Sequence, residues 1–239
     1  MTSYSQSLLL RQDPGRPWTV DEAYRYCESL TYGHYENFPV ASVFIPKAMR
    51  KHVAAVYAFA RTADDFADEK ENAGNEISLL QGWEKNLRLC YEGKAQFPTF
   101  VALADTAKRF DLPMQLFLDL LDAFKQDATV KTYATFADVL DYCRRSANPI
   151  GRLVLLLFGH KNEDFFRWSD AICTALQLTN FWQDVAVDWK KGGRTYIPQE
   201  DFMQFGYSQE ELGRGVVNDA FRNMMRFETD RTQVFFDEG

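Results

Sequence analysis

Three observations predict an all-α fold for this 239-residue chain. Apolar residues recur at steps of three and four over most of its length, whereas strand-like alternation hardly occurs. Capping boxes, N-cap hydroxyls and first-turn prolines open these periodic segments. Glycines close them. With 46% hydrophobic and 15% aromatic residues, the chain can bury a sizeable core, so a single domain over 1–239 with about eight to ten helices is expected.

Taken in order, Thr19-Val-Asp-Glu22 is a capping-box pattern that opens a helix toward Tyr32. Pro46 stands where a first-turn proline belongs, ahead of a helix to about Glu69. Lys70–Glu76 (KENAGNE) reads as a polar loop, and Ile77–Tyr91 as a helix stopped by Gly93. Pro98 and Pro113 each start a further helix. Thr135 is an N-cap for Phe136–Ser146, and Pro149 opens Ile150–Phe158. A long helix from about Asp164 to Lys190 stops at Gly192-Gly193, and another runs from about Val216 to the end. Because that last helix is still amphipathic at Val234-Phe235-Phe236, either it closes the fold there or further helices follow.

Composition excludes several classes. The net charge is −7 with no basic block, which argues against nucleic acid as a partner. The start, MTSYSQSLLLRQDPGRP, lacks the charged and apolar regions of a signal peptide. The longest apolar run, Leu153–Phe158, falls far short of the roughly 20 residues of a membrane span, so a cytoplasmic protein is expected. Cys27, Cys90, Cys143 and Cys173 are scattered and read as reduced core cysteines. His34, His52 and His160 are too isolated for a histidine metal centre.

The chemistry concentrates in two acidic helices. In YAFARTADDFADE, Val53, Tyr57, Ala60, Asp64 and Asp68 fall on one helical stripe, so the two carboxylates are expected to continue a buried face. Two inward carboxylates about 6 Å apart repel each other, and a bound cation removes the penalty. In QLTNFWQDVAVD, Gln177, Asn180, Asp184 and Asp188 form a second stripe at steps of 3, 4 and 4, with Leu176, Phe181 and Trp182 marking a buried helix. Oxygen ligands on both helices favour Mg²⁺, which recruits phosphate oxygens, so a diphosphate site is expected. Arg61 lies one turn before Asp65, and Arg194 and Tyr196 follow the Gly192-Gly193 break; an arginine fork suits phosphate. A lone D-x-x-x-D on a helix is most often a solvated face, and the second copy is what lifts the pattern above that.

These residues resemble the squalene/phytoene synthases, which join prenyl chains head to head. YAFARTADDFADE is similar to that family's first aspartate-rich motif, and QLTNFWQDVAVDW followed by GGRTYIP to its second; the match runs from about His34 to Pro198. The resemblance implies an isoprenoid synthase fold, a helical bundle around a central cavity. It implies about three Mg²⁺ ions carried by Asp64, Asp68, Asn180, Asp184 and Asp188. It places Arg61 and Gln177 near the diphosphate and makes His34, Tyr57, Arg194 and Tyr196 substrate-binding candidates. HYENFPVAS (His34–Ser42) and YCRRSANPIGRLVL (Tyr142–Leu155) are similar to bacterial hydroxysqualene synthases of hopanoid pathways. Carotenoid and squalene synthases usually carry Y-x-V-A-G-x-V-G where this chain has Arg145 to Gly151. Gln183 stands where an arginine is usual, Val187 where an acid is usual, and Asn37 and Glu36 replace a serine and a lysine.

The implied reaction is conversion of presqualene diphosphate to hydroxysqualene. Tyr142 is a candidate for guiding ionisation or the cation, and Arg145 and Asn148 for positioning the attacking water. Condensation of farnesyl or geranylgeranyl diphosphate to presqualene diphosphate, squalene or phytoene is the alternative in the same family. A non-catalytic helical assembly protein is the alternative of another class. NADPH is not expected; the lack of a G-x-G-x-x-G discriminates little, since squalene synthases of this fold bind NADPH without one. The expected partners are an isoprenoid diphosphate, a membrane surface touched transiently, and enzymes of the same pathway.

Overall fold

Side-chain caps set the helix starts. Thr19 Oγ1 accepts from the Glu22 backbone N–H, and the Glu22 carboxylate accepts from Thr19 N and Oγ1, so α1 begins at once and covers Val20–Gly33. The computed structural model describes residues 17–33 and 45–239. Pro46 takes the N-cap position of α2 (Lys47–Asp68), without a side-chain cap hydrogen bond. A 3₁₀ turn at Lys70–Asn72 leads to α3 (Glu76–Tyr91), then α4 (Pro98–Phe110) and α5 (Met114–Thr129). Thr135 and Asp138 form a second capping box that opens α6 (Phe136–Ser146), which is followed by α7 (Asn148–Leu157). Asn162 caps α8 (Glu163–Lys190); α9 (Gln199–Phe205), α10 (Gln209–Gly213) and α11 (Asp219–Glu238) complete the order. The all-α class is therefore what the described residues adopt: they contain helices and no strand.

Two short helices, α9 and α10, fall where no helix was expected. Seven and five residues are too few to show a period, although Ser208 and Glu211 do form a capping box at α10. The last helix starts at Asp219, not Val216, because Asn218 Oδ1 accepts from Phe221 N. Asn72, in the segment read as a polar loop, is fully buried and donates from Nδ2 to Asp65 O at 2.8 Å.

The chain forms two compact units: residues 1–128 with 153–160, and residues 129–152 with 161–239. In the first, α1, α2 and α4 pack on one another, and α3 packs on α2 and α4. Small residues Ala23, Ala54, Ala55, Ala58 and Ala102 allow α1, α2 and α4 to approach closely. Beside them is a ring core of Phe59, Trp83, Phe100 and Phe117, with Phe59–Phe117 at 5.1 Å and Trp83–Phe100 at 4.4 Å. Burying each such ring stabilises by about 1.5–3 kcal/mol. The Tyr24 hydroxyl donates to Asp105 at 2.7 Å and lies 3.0 Å from His52 Nδ1 and 2.9 Å from Thr106 Oγ1, tying the same three helices by a buried polar network.

In the second unit, α8 is packed by α6, α10 and α11, and α9 packs on α11. Trp182 Nε1 donates to Thr232 Oγ1 at 2.8 Å, fixing α8 to α11. Gly151 marks a close approach of α7 to α8: a Cβ there would stand 2.3 Å from Ser169 Oγ and 2.6 Å from Cys173 Sγ. All four cysteines are free thiols; Cys27, Cys90 and Cys143 are buried, and burial pushes each of these up to about 12. Among the described residues no helix is long and apolar enough to cross a membrane.

Candidate functional site

On α2 the core direction is taken by Ala55, Phe59, Ala63 and Phe66, all buried. The stripe displaced by two residues carries Val53, Tyr57 and Asp64, which are half-buried, and Asp68, which is exposed. This corrects the expectation that the carboxylates continue the buried face: the helix turns 100° per residue, so the core stripe and the acid stripe lie on different sides. Arg61 answers the expected repulsion, with Nη2 2.8 Å from Asp65 Oδ1 and Nη1 3.4 Å from Asp64 Oδ2. Its Nε is buried with no hydrogen-bond partner.

On α8 the polar row is likewise open. Gln177 and Asp188 are half-buried, and Asn180 and Asp184 are exposed. Phe181 and Trp182 are buried as expected, but Leu176 is 53% exposed, so the helix is not buried all round. One continuous open face runs along α8 from Phe165, Trp168, Ile172 and Leu176 into Asn180 and Asp184, at steps of three and four. On α7 and just past its end, Ile150, Val154 and Phe158, four residues apart, are exposed in the same way.

On each acidic helix, taken by itself, the donors suit Mg²⁺ in kind. Asp64, Asp68, Asp184 and Asp188 offer carboxylates, Asn180 an amide oxygen, and Mg²⁺ is commonly held through one or two carboxylates while keeping water and phosphate oxygens. Among the described residues no group of three or more His, Cys, Asp or Glu gathers to hold a metal ion. Each acidic helix offers two carboxylates a turn apart, half-buried or exposed.

The remaining candidates fall in the second unit, except His34, which lies outside the described residues together with Glu36 and Asn37. Tyr142 and Tyr196 are buried and belong to a ring cluster. Tyr196 stacks on Phe181 with centroids 3.6 Å apart and planes at 5°, Tyr142 lies 5.6 Å from Tyr196 and 5.9 Å from Phe181, and Tyr133 stacks 5.6 Å from Tyr196. Arg194 Nη1 donates to Tyr196 Oη at 3.5 Å. The Arg145 guanidinium is tied to Asp141 on its own helix at 2.8 Å. Asn148 is buried, and its Oδ1 accepts from Thr174 Oγ1 at 3.0 Å. Both Asn148 and Thr174 line a cleft of about 370 Å³ with Arg152, whose Nη2 is 2.5 Å from Asp170.

Three features escaped sequence reasoning. Thr174 is one of two threonines on α8, with no spacing signal to connect it to Asn148. Ser146, in the Arg145–Asn148 stretch, keeps its Oγ buried with no hydrogen-bond partner. The apolar row Phe165, Trp168, Ile172 and Leu176 has helical period but resembles core until its exposure is seen.

Comparison with known proteins adds the relatives of this chain. The profile of the family described as squalene/phytoene synthase matches residues 31–239. The 15-cis-phytoene synthase of Synechococcus elongatus is 30% identical over 96% of this chain and 80% of its own length. The hydroxysqualene synthase of Zymomonas mobilis subsp. mobilis is 38% identical over 76% of this chain and 61% of its own. Among solved structures, squalene synthase HpnC from Alicyclobacillus acidocaldarius superposes with a TM-score of 0.87 at 42% identity, covering 92% of this chain and 82% of that one. A dehydrosqualene synthase solved with ligand superposes with a TM-score of 0.81 at 28% identity, covering 92% and 76%.

Proposed function

We propose, from the premise that the chain belongs to the squalene/phytoene synthase family of head-to-head isoprenoid synthases, that it converts presqualene diphosphate to hydroxysqualene with release of diphosphate. The observation that carries this reading is the open face of α8, which changes along its length from four apolar side chains to an amide and carboxylates. That is the pattern of an amphiphile with a hydrocarbon body and an anionic head that metal ions neutralise.

Asp64, Asp68, Asn180, Asp184 and Asp188 would hold Mg²⁺, which supplies Lewis-acid stabilisation of the departing diphosphate when bound. Arg61 and Arg194 offer guanidinium donors to phosphate oxygens, Arg61 keeping part of its charge on Asp64 and Asp65. Gln177, Tyr57 and His34 are the further residues we assign to substrate binding. Breaking the carbon–oxygen bond sends the electron pair out with the diphosphate and leaves a carbocation. The rings of Tyr142, Phe181 and Tyr196 give such a cation a shielded aromatic surroundings. Water adds to one carbon and loses a proton, giving the alcohol; Arg145 and Asn148 are the groups we assign to holding that water.

Identity is higher to the squalene-branch relatives, 42% and 38%, than to the phytoene and dehydrosqualene synthases, 30% and 28%, which supports the squalene branch. The phytoene synthases match over more of the chain, and condensation of two allylic diphosphates is the second reading. Presence of both acid rows together with Arg61 and Asn180 favours an enzyme over a non-catalytic relative. Transient contact with a membrane surface, from which the lipid is drawn, accompanies either reading.

Product analysis separates them. Purified protein with Mg²⁺ is given presqualene diphosphate, farnesyl diphosphate or geranylgeranyl diphosphate in separate reactions. Hydroxysqualene from the first is the expected result. Phytoene from the third, with no alcohol from the first, contradicts the proposal.

A further inference from the structure

Two carboxylates in the second unit share one guanidinium away from water. Glu228 on α11 is fully buried and Asp201 on α9 is 2% exposed. Arg231, one turn after Glu228, donates from Nη2 to Asp201 Oδ2 at 2.6 Å and from Nε to Glu228 Oε2 at 2.7 Å. Its guanidinium carbon lies 3.7 Å from the centre of the Phe136 ring and 4.9 Å from that of Phe227, so rings and acids enclose it. Glu228 Oε1 is buried with no hydrogen-bond partner. Two ionised acids against one arginine would leave a buried net negative charge, whose cost a proton on one carboxylate removes.

The position of Asp201 gives the cluster a reach beyond packing. Asp201 lies in the first turn of α9, and its N–H donates to Pro198 O. The segment before it, Arg194 to Pro198, carries two of the substrate-binding candidates. The segment and the start of α9 are also held by backbone hydrogen bonds, Thr195 N to Lys131 O and Gln199 N to Tyr133 O, each at 2.9 Å, and by the stacking of Tyr196 on Phe181. Arg231 is the charged tie between α9 and α11, beside the Phe205–Phe227 ring contact at 5.4 Å, and through α9 it bears on this segment.

We propose that Asp201, Glu228 and Arg231 form a proton-dependent latch that holds the 194–198 segment, making Glu228 and Arg231 positioning residues for Arg194 and Tyr196. Burial pushes the Glu228 carboxyl up to about 8, against the opposing pull of Arg231. The charged groups acting on it are Arg231 from its own helix and Asp201 from α9; α8 meets this stretch of α11 with Trp182 and α6 meets Arg231 with Phe136. When Glu228 loses its proton to solvent, the second negative charge competes with Asp201 for Arg231, α9 loosens, and Tyr196 shifts on Phe181.

The consequence for substrate rests on the diphosphate reading above; the movement itself does not. The test compares wild type with Glu228→Gln and Asp201→Asn, each of which relieves the excess charge, near pH 7 and pH 9, about one unit either side of the value for Glu228. Near-ultraviolet circular dichroism reports the Tyr133, Tyr142, Phe181 and Tyr196 cluster. The wild-type spectrum should change between the two conditions while a variant's does not; if one variant fails to fold, the other decides. An identical response in wild type and the folded variant overturns the latch. Binding of inorganic pyrophosphate with Mg²⁺, measured alongside, should weaken about tenfold in wild type relative to Glu228→Gln over the same range. Absence of pyrophosphate binding to any of the proteins under both conditions counts against the diphosphate reading and leaves the spectra to decide the latch.

Discussion

Arg61 Nη2 lies 2.8 Å from Asp65 Oδ1, so the arginine of the first acidic helix is anchored by the acid that stands beside the proposed metal row, not in it. Asp65 thereby orients Arg61, while Asp64 and Asp68 remain the residues offered to Mg²⁺.

Asp64→Asn should lower diphosphate release about 100-fold, the usual cost of removing one electrostatic stabiliser of a leaving group. Asp65→Asn should cost less than about tenfold, because Arg61 keeps its second partner, Asp64, at 3.4 Å. Steady-state release of pyrophosphate by the two variants checks the order; equal losses contradict the division of roles.

Acid should destabilise the first unit through His52. Burial, with Lys51 and Arg109 nearby, holds its imidazole down at about 4 against an ordinary 6.5. The native state keeps the ring neutral, so the unfolded chain takes up the proton first. Stability is intact above about 6.5 and declines as pH falls toward about 4. Thermal melting across that window should show this slope, and His52→Asn should flatten it even though its melting temperature starts lower. Parallel slopes in the two proteins contradict the assignment.

Thr174→Val should destabilise the fold by about 1–3 kcal/mol, since it strands the buried Asn148 oxygen. Thr174→Ser should restore most of it. Urea unfolding of the three proteins decides, and a valine variant as stable as wild type would show the hydrogen bond to be dispensable.

Asn148→Ala should change which carbon water reaches, or let the cation lose a proton instead, so olefins or rearranged alcohols replace part of the product. Chromatography of the lipid products reads this directly. Unchanged product and rate remove Asn148 from the mechanism.

The helix starts were legible because their causes are local: Thr19 with Glu22, Thr135 with Asp138 and Pro46 each act within a turn. The acid rows were legible as spacing, but spacing does not say which face of a helix the core takes. Hence Asp64 and Asp68 were expected inside, where Ala55, Phe59, Ala63 and Phe66 actually stand. Leu176 misled in the opposite sense, since an apolar residue beside Phe181 reads as core until its exposure is known. Contacts between distant residues left no local trace: Asn148 meets Thr174 26 positions away, and Asp201 meets Arg231 30 positions away.

The central claim is that Mg²⁺-dependent diphosphate binding requires the carboxylates of each acidic row. Calorimetric titration of Mg²⁺ with inorganic pyrophosphate into wild type, Asp64→Asn and Asp184→Asn measures that requirement directly. The prediction is binding to wild type and a loss of about tenfold or more in each single variant. Wild-type affinity in either variant would contradict it.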